Sequence, residues 1–130
     1  MQLNAEVNPM KNEPGGCRCG AIRFLISGEP NRVVVCHCED CRRSVGAQSV
    51  AWLILSKANY TISSGSPVAH ASSPEVERTF CGSCGTSLTY SHSNSPERID
   101  VTVASLDHPG RFPPTNTSFE SERIRWYSPI

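Results

Sequence analysis

The residues best suited to chemistry in this chain are its seven cysteines, which all fall in three short groups. Cys17-Arg18-Cys19 opens the set, Cys36-His37-Cys38-Glu39-Asp40-Cys41 follows, and Cys81-Gly82-Ser83-Cys84-Gly85 closes it. Thiolates at this spacing suit a metal ion, because one turn of backbone can aim two sulfurs at one ion about 2.3 Å away. Gly82 and Gly85 permit turns that leave amide N–H groups free to face sulfur. Free cysteines also serve as small buried hydrophobes. The clustering of every one of them argues for zinc instead, with an iron–sulfur cluster the lesser alternative on spacing.

Seven thiolates can supply one four-ligand site and one three-ligand site. Cys17, Cys19, Cys81 and Cys84 would together close a tetrahedral structural site. Cys36, Cys38 and Cys41 are local enough to grip a second ion, and three ligands leave a fourth position open, as in catalytic zinc sites. Spacing alone leaves the division open. In an extended C-H-C segment His37 points away from its neighbours, which makes it an adjoining group rather than a ligand. His70, His92 and His108 have no evident partner. Zinc with three thiolates is net negative and a poor Lewis acid, yet it can hold an incoming thiol as thiolate. That suits making or breaking carbon–sulfur bonds better than hydrolysis.

Arg42 and Arg43 follow Cys41 directly and are candidates for binding a substrate carboxylate, against the alternative of solvated charges on a short helix. Trp52 is a candidate pocket wall, although core packing is the stronger use. Arg78, close before Cys81, reads as a structural partner rather than a catalyst. No Ser-His-Asp set, phosphate-cradling loop or carboxylate pair can be assembled from what remains.

The elements that must hold these groups are mostly strands. Ala21 to Ile26 alternates Ile22, Phe24 and Ile26 against polar positions, and Val33 to Val35 is a β-branched run ending at Cys36. Glu39 to Ala47 is the one good helix candidate, closed by Gly46. Gln48 to Leu55 and Asn59 to Ser63 read as strands about a short turn. Glu75 to Phe80 and Ser87 to Tyr90 flank the Cys81–Gly85 turn as a hairpin, and Ile99 to Val103 alternates as a half-buried strand. Ser105 to Arg123 has no clear period, and so long an irregular stretch is usually functional or wrongly assigned. Residues 1–14 read as a loose leader and 15–130 as a single domain.

Composition narrows the partners. Twelve Lys plus Arg balance twelve Asp plus Glu in 130 residues. Without a basic stripe, neither nucleic acid nor an anionic membrane is an expected partner. The longest apolar run, Val50 to Leu55, is far too short to span a bilayer. No apolar secretory segment precedes Gly16, and the odd cysteine count opposes complete disulfide pairing, so reduced thiols and a cytoplasmic location are expected.

The strings GGCRCGAIRF, CHCEDCRRSVGA and RTFCGSCGTSL, with the later IDVTVASLD, resemble the glutathione-dependent formaldehyde-activating (GFA) family, which also includes centromere protein V. The resemblance runs in order from Gly15 to about Asp107 and finds a counterpart for every cysteine. It implies a mainly β, Mss4-like tent of several small antiparallel sheets. It implies Cys17, Cys19, Cys81 and Cys84 as structural zinc ligands, and Cys36, Cys38 and Cys41 as ligands of a second, catalytic zinc. It also implies carbon–sulfur lyase chemistry joining glutathione to formaldehyde as S-hydroxymethylglutathione. The tail departs from the family pattern, because Thr117 to Trp126 contains no His. Three functional classes follow: a zinc-dependent carbon–sulfur lyase on a thiol adduct, a glutathione-binding carrier without turnover, and an interaction module stabilised by zinc.

Overall fold

The computed structural model describes residues 12–127. Its strands are β1 (Glu13–Gly16), β2 (Arg23–Ile26), β3 (Arg32–Cys36), β4 (Val50–Ser56), β5 (Tyr60–Ser64), β6 (Val68–Ser73), β7 (Val76–Phe80), β8 (Ser87–His92), β9 (Arg98–Thr102) and β10 (Asn116–Ser118). A single α-helix among the described residues, α1 (Glu39–Val45), joins β3 to β4. The strands form a seven-stranded sheet, ordered β10-β3-β4-β9-β8-β7-β6, and a three-stranded sheet, β1-β2-β5. All pairings are antiparallel except β10 with β3.

The side-chain alternation of β4 organises the interior. Leu53 and Leu55 point to one face, where they join Phe24 and Ile26 of the small sheet, Leu88 and Val101 in the main core. Val50, Trp52 and Ile54 point to the other face and build a second cluster with Val34, Cys36 and Cys41. A strand buried on both sides reads as a continuous apolar run, which is what Val50 to Leu55 is. The cysteine groups divide along the same line. Cys17, Cys81 and Cys84 belong to the main core, whereas Cys36, Cys38 and Cys41 lie with the second cluster.

Two expectations change on contact with the fold, and one strand is new. Glu13 and Pro14, read as leader, belong to β1, where Glu13 is buried and its carboxylate accepts from Nη1 of Arg111 at 3.1 Å. Residues 1–11 of that leader lie outside the described residues. β9 is buried on both faces rather than half-buried, and Asp100 tolerates burial through two hydrogen bonds from Arg98, at 2.9 and 3.1 Å. β6 was not apparent from sequence. It is an edge strand of mostly exposed Ala, Ser and His, so no core-facing alternation marks it. Among the described residues, no helix is long and apolar enough to cross a membrane.

Candidate metal centres and the adjoining cavity

Each cysteine group sits where the chain must turn. Cys17 and Cys19 lie in the turn between β1 and β2, and Cys81 and Cys84 in the turn between β7 and β8. The four sulfurs converge within 4.8 Å of one another, although 62 residues separate Cys19 from Cys81. Cys17 and Cys19 have their Sγ atoms 3.6 Å apart, and Cys19 and Cys81 3.8 Å apart. Such separations are far too long for a disulfide. They match the edge of a tetrahedron built on zinc–sulfur bonds of about 2.3 Å, which is about 3.8 Å. Backbone N–H groups already face the sulfurs: Ile22 donates to Cys17 at 3.2 Å, and Ser83 and Cys84 donate to Cys81 at 3.3 and 3.4 Å. The hydroxyl and backbone of Thr86, followed by the backbone at Cys19, hold the Cys84 thiol down at about 5.

Cys36, Cys38 and Cys41 form the other set, also within 4.8 Å. Here the geometry is local. Cys36 ends β3, Cys38 caps α1 by accepting from the Cys41 N–H at 3.2 Å, and Cys41 is the buried residue of the helix. The helix stops at Gly46, whose φ of 77° closes it. A hydrogen bond from Cys41 draws the Cys36 thiol down to about 5, against the opposing effect of burial. Cys41 is pushed up by that same bond and by burial, with Arg78 acting in the opposite sense. Both sets thus offer soft, free sulfur donors gathered at ligand spacing, and each can hold a metal ion.

The two sets differ in their surroundings. The triad borders a cavity of about 480 Å³, also lined by Trp52, Arg78, Tyr90 and Phe119. Trp52 is both core and wall: it is 4% exposed, and its ring lies 6.0 Å from that of Tyr90. Arg42 and Arg43 are not among the lining residues. Arg43 points outward at 75% side-chain exposure and donates to Glu39 at 2.8 Å, an ordinary helical ion pair. Arg42 packs on α1 with its Nε buried and unpaired.

The cavity's buried guanidinium is that of Arg78, one of the few charged side chains in the interior. Its Nη2 lies 3.7 Å from the Cys41 Sγ and 3.6 Å from the Asp40 carboxylate, and its plane covers Tyr90 at 4.9 Å. The sequence clue was available: Arg78 shares the inward face of β7 with buried Val76. Arg32, Arg98 and Tyr90 also line the cavity, and nothing in their sequence context marks them. His37 is wholly buried and stands outside the sulfur set, with its ring 6.2 Å from that of Tyr127.

Residues 12–122 match the family model described as glutathione-dependent formaldehyde-activating enzyme. The chain belongs to this family. It is 34% identical over 86 residues to an uncharacterized lyase of Schizosaccharomyces pombe, covering 65% of this chain and 61% of that protein. It is 28% identical over 101 residues to a Halomonas elongata protein provisionally named a glutathione-dependent formaldehyde-activating enzyme, covering 72% and 64%. The chain therefore spans less than two thirds of the length of either relative. A Rhodobacter sphaeroides crystal structure shares the fold at a TM-score of 0.65 and 21% identity, over 81% of this chain and 99% of that one.

Proposed function

We propose that this GFA-family chain is a zinc-dependent carbon–sulfur lyase acting on a thiol adduct, with S-hydroxymethylglutathione formed from glutathione and formaldehyde as the leading case. The observation that carries this reading is that the triad borders a cavity of about 480 Å³. Cys17, Cys19, Cys81 and Cys84 would hold a structural zinc, and Cys36, Cys38 and Cys41 a second one. When bound by the triad, zinc supplies a position at which a substrate sulfur is kept as thiolate, the nucleophilic form.

The chain's own residues do the rest. Arg78 brings a permanent positive charge against the triad and offsets the negative charge an arriving thiolate adds. Trp52, Ile54 and Val34 give the cavity an apolar floor. In the addition, thiolate sulfur forms a bond to the aldehyde carbon, the carbonyl π pair moves to oxygen, and that oxygen takes up a proton. Burial and the nearby Asp100 carboxylate push the Tyr90 phenol up, so it stays protonated near neutral pH and can donate to that oxygen. The reverse sequence releases aldehyde and thiol.

Calorimetry in buffers of different ionisation enthalpy tests the reading. Glutathione is expected to bind with release of about one proton at neutral pH, because binding as thiolate deprotonates the sulfur. S-Methylglutathione, which cannot ionise, is expected to bind more weakly. Formation of S-hydroxymethylglutathione should run above its spontaneous rate. Binding without rate enhancement would favour the carrier, and no binding at all the interaction module.

A further inference from the structure

The stretch beyond residue 105, without period in the sequence, ends as an outer wall of the triad cavity. β10 runs parallel to β3 with Ser118 opposite Cys36. The His37 N–H donates to the Ser118 carbonyl at 3.1 Å, and the Glu39 N–H donates to the Glu122 carboxylate at 2.8 Å. Residues 118–122 are thus clamped at both ends to the segment that carries the triad. Between the clamps stands Phe119, with φ 54° and ψ 41°. It is the only non-glycine residue with positive φ among the described residues. An L side chain in this left-handed region is strained, because its Cβ crowds the following carbonyl oxygen. Burial does not offset the strain, because Phe119 is 59% exposed. Glycine would sit at this position without strain, and the core does not use the ring. Strain that persists under such clamping is a mark of function.

We propose that Phe119 is a substrate-contact residue: its clamped, left-handed backbone holds the ring at the triad cavity, where it packs against the part of a bound thiol beyond the sulfur. This rests on the thiol reading above. The same cavity sets apolar Val34, Trp52 and Ile54 beside the guanidinium groups of Arg32 and Arg98. Arg98 is committed to Asp100, so the apolar floor, Arg32 and the Phe119 ring are what the cavity offers the part of a thiol beyond its sulfur.

Glutathione titrations of zinc-loaded wild type, Phe119→Ala, Phe119→Gly and Phe119→Tyr test this, together with metal content and thermal melting. The Ala and Gly variants are expected to keep wild-type metal content and lose affinity about tenfold. Phe119→Tyr keeps the ring and should bind as wild type. Phe119→Gly should melt about 3 °C above Phe119→Ala, as the strain is released. Unchanged affinity in the Ala and Gly variants overturns the inference. So does an affinity loss that tracks loss of metal, which would make Phe119 a prop for the triad, and so does equal melting of these two variants. Failure of wild type to bind glutathione would instead remove the thiol reading, and this inference with it.

Discussion

Nη2 of Arg78 lies 3.7 Å from Sγ of Cys41, on a guanidinium whose Nε and Nη1 are buried without a hydrogen-bond partner. Asp40, its nearest carboxylate at 3.6 Å, is itself 70% exposed and weakened by solvent. The strongest claim on the Arg78 charge is thus the sulfur cluster. Arg78→Met, which keeps the volume and removes the charge, should lower glutathione affinity roughly tenfold or more, the range for a lost charge-assisted interaction. Arg78→Lys should recover part of it, because the charge returns without the planar fork. Titration calorimetry reads both, and equal affinity in Met and Lys variants would discount charge as the cause.

The two cysteine sets should respond differently to loss of a ligand. The tetrad ties the turn before β2 to the turn after β7, so it joins the small sheet to the large one. Cys81→Ser is expected to give unfolded or insoluble protein, since metal-binding free energy in such a site is folding free energy. The triad comes from one local segment, and Cys38→Ser should leave a folded protein with one metal ion fewer. Chelator titration of wild type should likewise remove one ion with little change in far-UV circular dichroism before a second leaves with unfolding. Equal collapse of both variants would refute the division of labour.

Gly15 is a packing requirement. A Cβ there would lie 2.5 Å from the Phe24 ring and 2.8 Å from the Ser105 carbonyl oxygen. Phe24 is fully buried at the centre of the main core and cannot yield. Gly15→Ala should therefore destabilise by about 1–3 kcal/mol, the usual cost of overpacking. Denaturant unfolding measures it, and a change below about 0.5 kcal/mol, within the surface-substitution range, would show that β1 can shift.

Arg23 donates to both carboxylate oxygens of Asp107, at 3.2 and 2.5 Å, and thereby holds that carboxyl below its ordinary value. A depressed folded-state value contributes stability above the unfolded value of about 3.9 and loses it as pH falls through the folded one. Both side chains are 36% exposed, so solvent limits the pair to about 0.5 kcal/mol. Asp107→Asn should show that deficit unchanged from pH 8 to pH 5 and lose it only below about pH 4, as unfolding curves across pH would reveal. A deficit that vanished already by pH 6 would place its origin in another group.

The sequence by itself determined the candidate sulfur donors, because clustering and turn chemistry are local properties. Cys36, Cys38 and Cys41 converge within one strand end and one helical turn, so their meeting needed no fold. The hairpin carrying Cys81 and Cys84 was equally legible, since period-2 strands flank its turn. The family's motifs then named the partition that spacing left open. Only the tertiary structure brought Cys17 and Cys19 to Cys81, a contact between distant turns that no local pattern encodes. Only it placed Arg78 at the cavity: adjacency to Cys41 leaves Arg42 and Arg43 on α1 outside the cavity lining, while sheet register puts Arg78 beside the triad. Phe119 was invisible for the same reason. Its position depends on the parallel pairing of β10 with β3, which joins residues about eighty positions apart and leaves no periodicity to read.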